Sequence, residues 1–412
     1  MTREHKRLTL ACYTSSMSMA IVTTLPPLLF LTFRDLYGIS YSLLGLLVVV
    51  NFVTQLLIDL LFSFFSHRFP IGKVVKFTPA ITILGLGVYA AWPYLFPNAV
   101  YPGLVLGTVI FSASSGFSEV LTSPVIASIP MDDPDRAMSR LHSMYAWGVV
   151  MVVAVTTLFQ VFCGLENWAI LTVILMLLPA YSFYMFYTSE IPQLQTPEKV
   201  TGALKFLKTP GIWLLVFMIF MGGASECTMA QWSSGYLEQA LGIPKMWGDI
   251  FGVAFFAVML GLGRTLYGKY GKGIGKILLL GFCGCGVCYL AAAVCDAPIV
   301  GLLACGLTGF CTSMLWPGSL IAATDLIPQS GVILFALMAA GGDLGASVGP
   351  QLVGVITDIV IASDGMQQLA ATLGLQVTQL GMKLGLLTGM LFPLLGIPVC
   401  IKILKFYKAK AN

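Results

Sequence analysis

The stretch SGFSEVLTSPVIASIP, Ser115 to Pro130, decides how this chain is read. Glu119 stands in it, inside an otherwise apolar span. Ser112, Ser115, Glu119 and Thr122 follow one another at steps of three, four and three, which puts them on one face of a helix. A polar stripe carrying a carboxylate does not face lipid; it faces a bundle interior or a water-filled path. A short acidic and basic loop follows, and LHSMYAWG, Leu141 to Gly148, then opens the next apolar run.

Working outward, the 412 residues are 58% hydrophobic and 10% charged. A soluble domain carries about 25% charged residues, so the chain is read as membrane-embedded. At about 20 residues per crossing there is room for twelve spans, and twelve apolar stretches fall between residues 8 and 404. Helix is the structure expected of each, because an open strand edge cannot sit in lipid. The first stretch is too long for a cleaved signal segment and is read as a retained span.

Lys and Arg set the expected orientation. With the N-terminus cytoplasmic, 19 of the 22 fall on the cytoplasmic side, and Arg34, Lys245 and Lys383 fall outside. That alternation holds only with twelve spans and both termini inside. The most polar internal stretch, 189–209, reads as a cytoplasmic linker between residues 1–188 and 210–412, each a six-helix bundle. The halves repeat one another: Gly116-Phe117 precedes Pro124 as Gly309-Phe310 precedes Pro317, and the same offset of 193 carries Gly148 onto Gly341. Duplicated helical halves with a site near the midplane are the plan of many secondary transporters.

Charged and polar groups inside the spans are the expected functional residues. A carboxylate at bilayer depth is costly to keep charged, which suits Glu119 to proton exchange. Glu226, in the seventh span, is the second proton-coupling residue expected, with Trp232 near it as a ring for stacking. Asn51, Gln55 and Asp59 follow at four-residue steps in the second span. Asn51 and Gln55 are expected substrate ligands and Asp59 a gating group. His142, Tyr145 and Trp147 open the fifth span and join the expected substrate site. Asp343, among glycines in the eleventh span, is read as structural or gating. Arg264 and Asp325 are placed at cytoplasmic helix ends, where ion pairs hold one conformation; Asp249, Asp296 and Asp358 fall at outer ends, in contact with water.

Several functions are disfavoured. There is no GxxxxGK[ST] phosphate loop for an ATP-driven pump, and no HExxH or GxSxG motif, so an enzyme is not expected. Three His, at 5, 67 and 142, cannot build a metal cluster. The ten cysteines lie mostly in apolar stretches, and the CGCGVC run at 283–288 reads as helix packing. No cofactor and no nucleic-acid partner is expected. The basic residues form no run of five.

Twelve spans, duplicated halves and a central linker resemble the major facilitator superfamily across nearly the whole chain. Its loop signature after the second helix is seen in degenerate form as SFFSHRFPIGK, residues 63–73, where Arg68 and Lys73 keep the basic character while His67 and Pro70 replace the usual Asp and Gly. The copy after the eighth helix, GLGRTLYGKYGKGIGK, keeps Gly263-Arg264. Arg68 is thereby read as a gating residue. Within the superfamily the chain is most similar to the fucose permease branch, on SEVLTSP around Glu119, LHSMYAWG, GGASECTMAQW around Glu226, and Trp316-Pro317 with GGDLGASVGP. The resemblance implies alternating-access symport of a sugar or polyol with a proton, through Glu119, and adds Trp316 to the substrate residues. His142 takes a position where that branch carries an amide, and Thr23 and Thr24 stand in a first helix where it carries an Asp.

A proton-coupled drug or metabolite exporter of the same fold is the alternative. Such exporters usually carry a Gly-Pro motif in the fifth helix, absent from GVVMVVAVTTLFQ, residues 148–160. Partners are expected to be a small solute, protons and the bilayer of a plasma membrane, most simply a bacterial inner membrane, with the protein a monomer.

Overall fold

The computed structural model describes residues 2–65, 68–130, 134–192, 210–327 and 331–411. Among them every regular element is helical. Twelve helices are long and apolar enough to cross a membrane: α1 (Arg3–Leu28), α2 (Tyr41–Phe62), α3 (Ile71–Leu95), α4 (Pro97–Ser128), α5 (Ser143–Cys163), α6 (Leu165–Tyr187), α7 (Gly211–Leu241), α8 (Lys245–Tyr270), α9 (Ile274–Val294), α10 (Pro298–Leu326), α11 (Leu337–Ala362) and α12 (Val377–Phe406). The protein is therefore an integral membrane protein with the twelve spans the hydropathy predicts. Of the linker, 193–209 lie outside the described residues, as does His67.

The chain forms two compact units. One comprises 1–37 and 50–199; the other comprises 38–49 and 200–412. The second unit thus takes in the opening turns of α2, as well as the helices that follow residue 200. Within it, Asp358 on α11 accepts hydrogen bonds from the Tyr41 N–H at 3.2 Å, the Ser42 N–H at 2.7 Å and the Ser42 hydroxyl at 2.5 Å. These are orphan donors at a helix start, and a carboxylate there meets both their hydrogen bonds and the positive end of the helix dipole.

Small residues set the spacing inside each unit, because lipid supplies no hydrophobic drive between helices and close backbone approach must supply contact instead. In the first unit α3 and α4 meet at Gly85 and Gly107: a Cβ on Gly85 would lie 2.5 Å from the Phe111 nitrogen, and one on Gly107 2.8 Å from the Tyr89 Cβ. In the second unit α7 and α11 meet at Gly345 and Gly349, where a Cβ would lie 2.1 Å from the Phe220 carbonyl oxygen and 2.2 Å from the Thr228 hydroxyl.

The repeated glycines occupy matching seams. Gly116 presses α4 on α2 at Ile58, 3.0 Å from an added Cβ, and Gly309 presses α10 on α8 at the Phe256 carbonyl, 2.2 Å. Gly148 presses α5 on α1 at Met17, and Gly341 presses α11 on α7 at Val216, each 2.8 Å. The second and fourth spans of one unit pair as the eighth and tenth of the other, and the first and fifth as the seventh and eleventh. The 193-residue offset is a repeat of packing as well as of letters.

Several spans depart from straight helix; α6 is interrupted at Met176 and α12 at Met390. α10 is broken at Ser313-Met314, between helices Pro298–Thr312 and Leu315–Leu326. α8 carries a π-helical turn, Asp249–Ala254, after its first four residues; such turns occur often at functional positions.

Candidate functional site

The first unit carries an apolar stripe along α4 through Leu106, Val109, Pro124 and Ala127, all exposed. At 100° per residue, Glu119 lies about a third of a turn away from that stripe. Its flanking residues on that same face, Ser112, Ser115 and Thr122, are buried at 5% exposure or less, whereas Glu119 is exposed. The carboxylate therefore opens onto space on a face distinct from the one that meets lipid, as the three-four-three spacing predicts.

Polar groups around that face are tied together. Asn51 Oδ1 on α2 accepts from the Ser112 hydroxyl at 2.5 Å and from Gln55 Nε2 at 3.0 Å. Ser15 and Ser118 share a hydrogen bond of 3.0 Å between α1 and α4, and Thr23 and Tyr145 share one of 2.9 Å between α1 and α5. Asn51 and Gln55 are 6% and 4% exposed, and the Ser112–Asn51 bond ties α2 to α4. Asp59 is half-buried further along α2. Arg68 lies with its guanidinium 5.3 Å from the Phe65 ring centroid. The His142 side chain lies outside the described residues.

Two aromatic residues of the expected site are placed elsewhere. Trp147 is 62% exposed and shares a stripe of α5 with Leu158 and Val161, on the opposite side of the helix from Tyr145. The two are two residues apart, and such neighbours cannot share a helix face. Trp232 is 1% exposed, and its indole N–H donates to the Pro350 carbonyl at 2.8 Å. With Tyr41 6.0 Å away, centroid to centroid, Trp232 is a packing anchor of α7 on α11, and its ring is closed to a solute.

In the second unit four spans converge on Glu226. Arg264 of α8 brings Nη2 to 3.6 Å from Glu226 Oε1, and its Nε donates to the Ser313 carbonyl at 3.1 Å. That carbonyl is at the break in α10. Gly263 makes the approach possible, since a Cβ there would sit 2.2 Å from the Ser313 hydroxyl. Just past the break, the half-buried Trp316 lies against Gly223 and Gly342. Asp343, 7% exposed, stands beside Gly342 on α11. Arg264 was expected at a cytoplasmic helix end. It lies six residues inside the end of α8, about 9 Å along the axis, and its partner is an intramembrane carboxylate. Sequence reading missed this pair because nothing local links residues 226 and 264; the Gly263-Arg264 dipeptide was the available signal. Asp325 is exposed at the end of α10.

The three outer-end carboxylates are also engaged. Asp249 is fully buried, 3.0 Å from Lys245 and hydrogen-bonded to Ser234. Asp296 pairs with Lys383 at 2.5 Å. Asp358 caps α2, as described above. All three were expected in water: Asp296 is, with its side chain 75% exposed, whereas Asp249 is buried and Asp358 half-buried, and Lys245 and the start of α2 supply the partners that those two require. Among the described residues no group of three His, Cys, Asp or Glu could hold a metal ion.

Known proteins share this architecture. A bacterial homologue of the human lysosomal transporter Spinster superposes with a TM-score of 0.77 at 14% identity, covering 98% of each chain. The nucleoside transporter NupG superposes with a TM-score of 0.69 at 13% identity, over 99% of this chain and 100% of that one. A D-xylose–proton symporter gives 0.67 at 16%, over 94% and 96%. A probable chloroplastic anion transporter of Arabidopsis thaliana is 22% identical over 335 residues, 71% of this chain. The chain spans 63% of that relative's length. The sequence profile of the superfamily matches residues 10–350. Twelve spans, paired glycine seams and this match agree: the chain belongs to the major facilitator superfamily, whose members are carriers and not enzymes.

Proposed function

We propose that the protein is a proton-coupled symporter of a small hydroxylated solute, a sugar or polyol, in the manner of the fucose permease branch. The observation that carries the reading is Glu119. It is exposed on a face of α4 turned away from the lipid-facing stripe, and the hydroxyls and amides of Ser15, Ser118, Asn51, Gln55 and Ser112 are grouped about the same helix. Such groups bond hydroxyls, while a carboxylate that alternates between charged and neutral forms carries the proton. The likeness of the fold to a D-xylose–proton symporter and to a nucleoside transporter supports a hydroxylated solute.

The cycle follows alternating access. Protonation of Glu119 favours solute binding on one side; release of both on the other resets the carrier. A ligand drives such a shift only through unequal affinity for the two states. Uptake of labelled sugars into proteoliposomes, with and without an inward proton gradient, tests this. Glu119→Gln is expected to abolish uphill accumulation and to leave solute exchange intact. Persistent uphill uptake in that variant would show that another group couples the proton.

A further inference from the structure

The Glu226–Arg264 pair is longer and more exposed than the Lys245–Asp249 pair. Its 3.6 Å separation exceeds the 2.7–2.9 Å of a closed charge-assisted hydrogen bond. The Arg264 side chain is 43% exposed, the Glu226 side chain 14%. Glu226 Oε2 is buried with no hydrogen-bond partner among the described residues, as is Asp249 Oδ2, so the separation and the exposure are what set the two pairs apart. Arg264 is also held in place: its Nε is bonded to the Ser313 carbonyl where α10 is broken. One edge of the guanidinium is fixed, and the edge carrying Nη2 faces a loosely held carboxylate beside Trp316.

From this we infer that Arg264 is a specificity residue that binds a negatively charged group of the transported solute, a carboxylate or phosphate, and that Glu226 is the internal anion the solute displaces. The inference rests on the proposed transport of a hydroxylated solute and narrows it to an acid: a sugar acid or sugar phosphate instead of a neutral sugar. A planar guanidinium presents a fork of N–H donors that matches either anion in bidentate fashion, whereas a neutral hydroxyl cannot replace the charge of Glu226. Trp316, against Gly223 and Gly342, supplies an apolar face for the carbon skeleton. Without a solute, Glu226 keeps Arg264 compensated, so the empty carrier does not hold a bare charge at membrane depth.

The test uses the full-length protein in proteoliposomes and measures exchange, so that no proton gradient is needed. The probes are glucose, glucuronate and glucose 6-phosphate. An acidic member is expected to exchange at least about tenfold faster than glucose, the worth of one charge-assisted bond. Arg264→Gln is expected to lower the acid-to-neutral ratio by about the same factor, and Arg264→Lys to restore it in part, because an ammonium lacks the fork. Glu226→Gln is expected to lower KM for the acid, since the internal competitor is gone; a purely structural pair would raise it. If Arg264→Gln fails to fold, the wild-type ratio and the Glu226→Gln KM still decide the matter. Preference for glucose, or a raised KM in Glu226→Gln, overturns the inference and leaves carriage of a hydroxylated solute standing. Exchange of none of the three overturns both.

Discussion

Asp249 illustrates what a carboxylate needs in order to stay inside a helical bundle. Its side chain is fully buried, the Lys245 side chain is 9% exposed, and the two meet at 3.0 Å one turn apart on α8, with the Ser234 hydroxyl as a further partner. Removing one member strands the other. Asp249→Asn is expected to cost about 3 kcal/mol, read as a lowered melting temperature in detergent. Lys245→Met on that background is expected to recover most of the loss, because a pair replaced whole leaves no uncompensated charge. Equal and additive losses from the two single changes would show that the residues do not act as a pair. Glu226 and Arg264 are the contrasting case, with a longer separation and a more exposed cation. Carboxylate and basic residue look alike in the two stretches of sequence; the space around them separates a fastening from an exchangeable contact.

At the scale of elements, the helices were legible and their faces only partly so. Hydropathy locates all twelve spans because burying unsatisfied backbone in lipid leaves no alternative to helix. The Glu119 face was legible from spacing within one helix. The Trp147 and Trp232 surroundings were not, since a tryptophan at an interface, in a core and beside a solute has the same local sequence. The Arg264–Glu226 pair and the Asp358 cap on α2 were hidden for another reason: their partners lie 38 and more than 300 residues away. The glycine offset, by contrast, marked seams that the structure confirms pair by pair. These seams give a prediction. Gly345→Ala puts a Cβ against the Phe220 carbonyl, where backbone has to move, and is expected to cost about 1–3 kcal/mol. Gly268→Ala, on α8 with nothing within 4 Å of the added atom, is expected to gain about 0.5–1 kcal/mol from helix propensity. Melting temperatures of the two variants check both signs. A neutral Gly345→Ala would show that α7 and α11 can yield.

For the whole molecule, the lysine and arginine pattern predicts a sidedness that thiol chemistry can measure. Cys163, the last residue of α5, is exposed, and that pattern assigns it to the side opposite both termini. A membrane-impermeant maleimide is expected to label it in right-side-out vesicles, and Cys163→Ser is expected to remove most of that labelling. Labelling confined to inside-out vesicles would reverse the orientation. The seams at Gly85, Gly107, Gly345 and Gly349 also bear on how such a chain can descend with change. A lipid-facing leucine can become valine or phenylalanine at small cost, because one apolar surface is solvated by acyl chains as well as another. A backbone resting on a backbone admits no such drift: any side chain there displaces a helix. Lineages are thus free over most of their surface and held at a few points of contact, which is how two chains can come to share 14% of their residues and remain superposable from end to end.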